Sequence, residues 1–149
     1  MHSKKFKYQK YLDLYPNCPP DSYKEIEDNG FRWIFSNDND SFIPVLIINP
    51  ARQLGIDEKQ CEGYALSMFK HEIGAYERYK KLVKARTKLK EVLGNKIAEI
   101  NISKLDGIGS EPETNNFTHF NFHEYDGTDL SLKIVNITEI FDGNGNFKW

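Results

Sequence analysis

Two histidines, His119 and His123, lie in the run Phe117-Thr118-His119-Phe120-Asn121-Phe122-His123-Glu124-Tyr125, and no other stretch of the 149-residue chain carries as much side-chain chemistry. Imidazole titrates near neutrality and serves as base, hydrogen-bond partner or metal ligand. The alternation of rings and polar groups predicts an extended strand, whose successive side chains point to opposite faces. His119, Asn121, His123 and Tyr125 then share one face, and Phe120, Phe122 and Glu124 the other. The phenylalanine face is expected to pack. The polar face is expected to be solvated or to meet a partner, because tyrosine buries area while keeping a hydroxyl to bond. On a strand the two imidazoles stand ~13 Å apart at roughly 3.3 Å per residue, too far for one metal ion to join them.

Other patterns with chemical potential are incomplete. His71-Glu72 lacks the second histidine of a zinc-protease helix, since Ala75 stands where it is needed. Asp142-Gly143-Asn144-Gly145-Asn146 alternates oxygen-bearing side chains, but Phe147 occupies the position a calcium loop gives to glycine, so a turn is expected. No metal site is expected. Cys61 invites pairing with His119 or His123 as a nucleophile, yet a thiol of this kind is more commonly a small packing residue. Cys18 and Cys61 are too few for a disulfide framework and too far apart for a metal clip, so both are expected as unpaired thiols in a reducing compartment. The charged start, Met1 to Lys10, has no apolar run behind it, and the longest apolar run, Phe42 to Ile48, is too short to cross a bilayer. A cytoplasmic protein with no membrane contact is expected.

Charge is unevenly laid out beneath a net of −2: residues 99–149 hold nine acids and three bases, which leaves 17 bases and 13 acids in residues 1–98. Arg78, Lys80, Lys81, Lys84, Arg86, Lys88 and Lys90 follow one another with no acid among them. Lys80, Lys81, Lys84 and Arg86 are therefore candidates for binding phosphates or an acidic protein surface, although a solvated helix face is the ordinary use of such a run. Nucleic acid is the less favoured partner, for there is no overall basic excess and no zinc-finger or aromatic RNA-binding signature.

The elements that position these residues follow from periodicity and turn chemistry. Lys4 to Leu14 reads as helix-like, and the three prolines of Pro16 to Pro20 force a turn. Asp21-Ser22 is read as the cap of a brief helix through Glu27, followed by a strand from Phe31 to Phe35 and a turn at Asn37 to Asp40. Phe42 to Ile48 reads as a strand interrupted at Pro44, Leu54 to Gln60 as a short helical segment, and Gly63 to Phe69 as a strand. From Glu72 to Ala85 the apolar positions Ile73, Tyr76, Tyr79, Leu82 and Val83 recur at helical steps. A short helix at Lys88 to Leu93, a strand at Ile97 to Ile102 and a loop from Lys104 to Asn116 lead to the aromatic strand; Leu130 to Ile140 is read as its hairpin partner. The whole, residues 1–149, is expected as one α+β domain: a largely antiparallel sheet packed against one principal helix, with shorter N-terminal helical elements.

Arg32 in Phe31-Arg32-Trp33, Ser67 in Tyr64-Ala65-Leu66-Ser67-Met68-Phe69 before the helix carrying Ala75-Tyr76, and Glu124 in Phe122-His123-Glu124 follow an order that resembles ADP-ribosyltransferase-like domains. That resemblance implies NAD as substrate, with Arg32 gripping its phosphates, Ser67 supporting the nicotinamide ribose and Glu124 stabilising positive charge or orienting the acceptor. The chain departs from the family's pattern at Leu66-Ser67-Met68, where a Ser-Thr-Ser-like cluster is usual, and at Phe122, where a second Glu or Gln stands. Strand alternation also sets Glu124 among the phenylalanines. The expected function is accordingly recognition of a protein partner, as an accessory, immunity or defence-system component with no cofactor. NAD-consuming transfer is the alternative.

Overall fold

A computed structural model describes residues 4–36 and 40–149 of the chain. Its elements are α1 (Gln9–Leu12), β1 (Lys24–Glu25), β2 (Asp28–Ile34), α2 (Val45–Ile48), α3 (Asp57–Glu62), β3 (Leu66–Phe69), α4 (Glu72–Ala85), α5 (Lys90–Leu93), β4 (Lys96–Ile102), β5 (Gly107–Gly109), β6 (His119–Glu124) and β7 (Ile134–Glu139). The strands form one sheet in the order β1-β5-β6-β3-β2-β4-β7, and every neighbouring pair is antiparallel. This is the expected α+β architecture, with α4 as its one long helix. Among the described residues no helix is long and apolar enough to cross a membrane.

Alternation along the strands divides the core in two. On the inner face Leu66, Met68, Ala98, Ile100, Ile102, Phe120 and Phe122 pack on one another and on Leu130. The outer face carries α4, whose Ala75, Tyr76, Tyr79 and Val83 bury against Phe69, Ile97, Phe31 and Trp33. Trp33 Nε1 donates to the Ala75 carbonyl at 2.9 Å, which ties the helix to β2. Beside α4, the N-terminal segment covers the β5–β6 end of the same face with Phe6, Leu12 and Tyr23. Each fully buried large apolar side chain contributes about 1.5–3 kcal/mol, so the two layers together stabilise the sheet.

Several expectations are corrected here. Phe42 to Ile48 is not a strand: Pro44 sits at the N-cap of α2, where a residue without an N–H is tolerated and a strand interior is not. Lys24–Glu25, expected within a helix, is instead an edge strand on β5, and β5 itself lies in the stretch read as loop. Glycine composition concealed it. A Cβ at Gly107 would lie 2.2 Å from the His123 carbonyl oxygen, so only glycine lets β5 approach β6 this closely. The last strand pairs with β4, not with the aromatic strand. Asp129 accepts from the Ser131 N–H at 3.0 Å and starts a 3-10 turn over Leu130–Lys133, whose fully buried Leu130 carries the chain across the inner face to the far edge. Ile73, expected on the packed stripe of α4, is exposed. Of the turn expected at Asn37 to Asp40, residues 37–39 lie outside the described residues. Asp142 does make the expected turn, accepting N–H bonds from Asn144 and Asn146 at 2.8 and 3.0 Å.

The cysteines also depart from expectation: Cys18 and Cys61 are bonded to each other across a separation of 43 residues, joining the N-terminal segment to α3. Neither is a free thiol. Closing a loop of that length restricts the unfolded chain by about 4 kcal/mol. Alkylation of the unfolded, unreduced protein should leave both cysteines unmodified, and Cys61→Ala should destabilise the fold by roughly 2–4 kcal/mol in urea denaturation; ready alkylation would show the bond is not made.

Candidate functional site

The pairing of β3 with β6 brings the candidate residues together. Ser67 stands opposite Asn121 and Phe69 opposite His119. The Ser67 hydroxyl lies on the outer face and is exposed, and its oxygen is 2.6 Å from His119 Nε2. On the other side of the ring, His119 Nδ1 is 3.0 Å from Glu113 Oε1. Glu113 is itself held by the backbone, for its N–H donates to the His119 carbonyl at 2.8 Å and its carbonyl accepts from Asn116 and Thr118. Hydroxyl, imidazole and carboxylate therefore form one chain of hydrogen bonds. That order suits proton removal from the serine: the carboxylate fixes the ring's tautomer and the free ring nitrogen receives the hydroxyl proton.

Ser67 opens into a cavity of about 760 Å³ between α2, α5, the C-terminal half of α4 and the sheet. Its walls are mostly apolar, including Ile43, Val45, Leu82, Leu89 and Leu93, with Ile48 and Val92 exposed at the lining and the charged Asp40, Arg52, Glu62 and Glu91 also part of it. Ser67, Asn121 and Arg32 supply polar floor. Arg32 is only 5% exposed. β2 and β3 pair at a single position, Phe31 with Phe69, and beyond it the guanidinium fills the gap. Nε donates to the Ser41 carbonyl at 2.6 Å and Nη1 to the carbonyl of Ser67. Burial lowers its pKa to about 10, partly offset by the charge of Glu124. Two of the five N–H donors of a guanidinium are thus committed, beside the nucleophilic candidate's own peptide.

Glu124 occupies a different place. Strand alternation sets it with Phe120 and Phe122 on the inner face, 5% exposed and outside the cavity lining. Burial raises its pKa, and Lys7, whose Nζ is 2.8 Å from Oε2, works against that rise. Oε1 has no partner among the described residues. Of the three residues named from the transferase resemblance, Arg32 and Ser67 meet at the cavity and Glu124 does not.

The polar face expected of the aromatic strand is corrected: Asn121, His123 and Tyr125 are all buried. His123 is 2% exposed, packed between the rings of Phe6 and Tyr23 at 6.3 and 5.8 Å between centroids. Its Nε2 has no partner among the described residues, and burial drives its pKa down to about 3. Tyr125 donates its hydroxyl to Glu25 at 2.8 Å beneath Lys4. Of these four residues His119, at the opposite end of the strand, is the one not buried, and it touches the cavity through its contact with Ser67. Cys61 is consumed by its disulfide. Lys81 and Lys84 on α4 and Arg86 just past its end are exposed, and Lys80 is half-buried over the rings of Tyr76 and Phe147. Among the described residues no three metal-ligating side chains gather.

Glu113 is the residue that sequence reasoning missed. It is one acid in a loop of mixed polar residues, and only the return of that loop onto β6 makes it a partner of His119. Compared with protein-family models, with curated proteins and with solved structures, the chain matches none.

Two measurements test this geometry. Gly74, in the first turn of α4, packs on the Glu113–Thr118 turn, and a Cβ there would lie 2.0 Å from the Phe117 carbonyl oxygen. Gly74→Ala, which stabilises an unencumbered helix by about 1 kcal/mol, should here destabilise by about 1–3 kcal/mol, seen as a lowered urea midpoint. His123 is depressed from 6.5 to about 3 when folded, so its contribution is present above 6.5 and is lost as pH falls toward 3. Glu124, raised when folded, acts in the opposite sense. The urea stability of wild type should therefore fall relative to His123→Leu by about 1.4 kcal/mol per pH unit below 6.5; parallel profiles would place His123 in water.

Proposed function

We propose that this chain is a recognition domain and that the cavity beside Ser67 is its recognition element, seating an apolar group that carries a carbonyl or carboxylate on a protein partner. The observation that carries the reading is the combination of mostly apolar walls, exposed Ile48 and Val92 at the lining, and the buried Arg32 guanidinium in the floor, with two of its five N–H donors committed among the described residues. A volume of about 760 Å³ lies within the range that binding clefts occupy. Apolar contact supplies the affinity, and Arg32 orients the occupant by donating to its oxygen. Capture of a chain terminus is one established form of such recognition. Membership of an accessory, immunity or defence system is consistent with this role and has no separate support. A bonded cysteine pair fits an oxidising compartment better than the cytosol, so the cytoplasmic expectation loses one of the arguments on which it rested.

NAD-consuming transfer is the second reading, favoured by the meeting of Arg32 and Ser67 at one cavity. It requires Glu124 to act from the inner face. NAD hydrolysis abolished by Glu124→Gln, in a variant of unchanged stability, would promote it over recognition.

The recognition reading is tested with displayed random peptides that end in a free carboxylate. Peptides selected by the wild-type protein should lose about tenfold or more in affinity against Val92→Asp and Ile48→Asp, the loss of an apolar anchor, with no change against Lys81→Ala. Failure to select any peptide, or binding indifferent to both lining residues, would overturn it.

A further inference from the structure

The hydrogen-bond chain Ser67–His119–Glu113 ends inside a cavity built for an apolar group, and a binding role alone has no use for it. We propose that the site performs acyl transfer: Ser67 is the nucleophile, His119 the base and then the acid, Glu113 the positioning residue, and the substrate an ester of an apolar acyl group. The inference rests on the cavity seating such a group, and goes beyond it by assigning a reaction.

The geometry supplies each part. Ser67 Oγ and His119 Nε2 are at transfer distance, 2.6 Å, and Nε2 is the ring nitrogen left free when Nδ1 bonds Glu113 at 3.0 Å. The Phe69 ring meets His119 edge-on at 5.8 Å between centroids, and with Glu113 it restricts rotation of the imidazole. Arg32 Nη1 is bonded to the Ser67 carbonyl, which fixes the peptide of the nucleophile at the cavity floor.

In the first half-reaction the Ser67 oxygen bonds the ester carbonyl carbon as its proton passes to His119 Nε2. The carbonyl oxygen takes up negative charge. The bond from that carbon to the alcohol oxygen then breaks, and the alcohol leaves with the proton from His119. Acyl-Ser67 and a free alcohol result. In the second half-reaction water gives a proton to His119 and its oxygen bonds the acyl carbon. The Ser67 oxygen departs, recovers the proton, and releases the carboxylic acid. No oxidant, metal or further co-reactant enters.

The test uses the intact, disulfide-bonded chain with p-nitrophenyl decanoate and an alkyl fluorophosphonate, and decanoate itself as the binding probe. Expected is a burst of nitrophenolate approaching one per chain and a single phosphonyl adduct on the peptide carrying Ser67. Ser67→Ala should lose both while still binding decanoate in calorimetry, and His119→Gln should slow the burst by about 100-fold or more. Glu113→Gln should slow acylation without raising KM, and Glu113→Asp should recover part of the rate, a pattern that a purely structural carboxylate would not produce. Decanoate binding without a burst or a Ser67 adduct overturns the acyl-transfer inference and spares the binding role. Loss of decanoate binding as well overturns the seating of an apolar group on which both rest.

Discussion

The register of β3 on β6 is the constraint from which the site follows. Leu66 opposite Phe122 and Met68 opposite Phe120 fill the inner face, which forces Ser67, Phe69, His119 and Asn121 onto the outer one. A slip of one residue would turn all of them over. The inner side chains resist that slip because each is almost wholly buried. Arg32 adds a second lock, since its bond to the Ser67 carbonyl takes the place of sheet pairing where β2 has parted from β3. A serine on a short strand is thus held as firmly as a core residue while its hydroxyl faces open space.

One strand face serves two purposes, and what covers it decides which. His119 and His123 project the same way, but the N-terminal segment, joined to α3 through Cys18 and Cys61, lies over His123 with Phe6 and Tyr23. Burial keeps that imidazole neutral and makes it a packing group. His119 lies past the edge of the cover, with a hydroxyl on one ring nitrogen and a carboxylate on the other. The difference between the two histidines here is solvent access and partners, not residue type.

Much of the local structure was legible in the chain. Helical spacing marked Glu72–Ala85, and alternation marked the strands at Ile97 to Ile102 and His119 to Glu124, including the inward turn of Glu124. These are short-range signals with a period. Pairing is long-range, and its misreadings share that cause: Leu130 to Ile140 follows the aromatic strand in sequence yet crosses to β4, and Gly107–Gly109 becomes a strand only because β1 and β6 flank it. Glu113, the Cys18–Cys61 bond and the gap-filling role of Arg32 are likewise products of tertiary approach. The candidate site was half visible: Arg32, Ser67, His119 and Asn121 were named, but the partnership among them was not.

The most direct test of this account is the ring-nitrogen resonances of His119 in uniformly nitrogen-labelled protein, recorded with its imidazole neutral. Glu113 as acceptor requires the proton on Nδ1, leaving Nε2 as acceptor for the Ser67 hydroxyl. The Nδ1–H form, with an Nε2 resonance that moves in Ser67→Ala and an Nδ1 resonance that moves in Glu113→Gln, is the predicted result. A proton on Nε2, or nitrogen signals indifferent to both replacements, would contradict it.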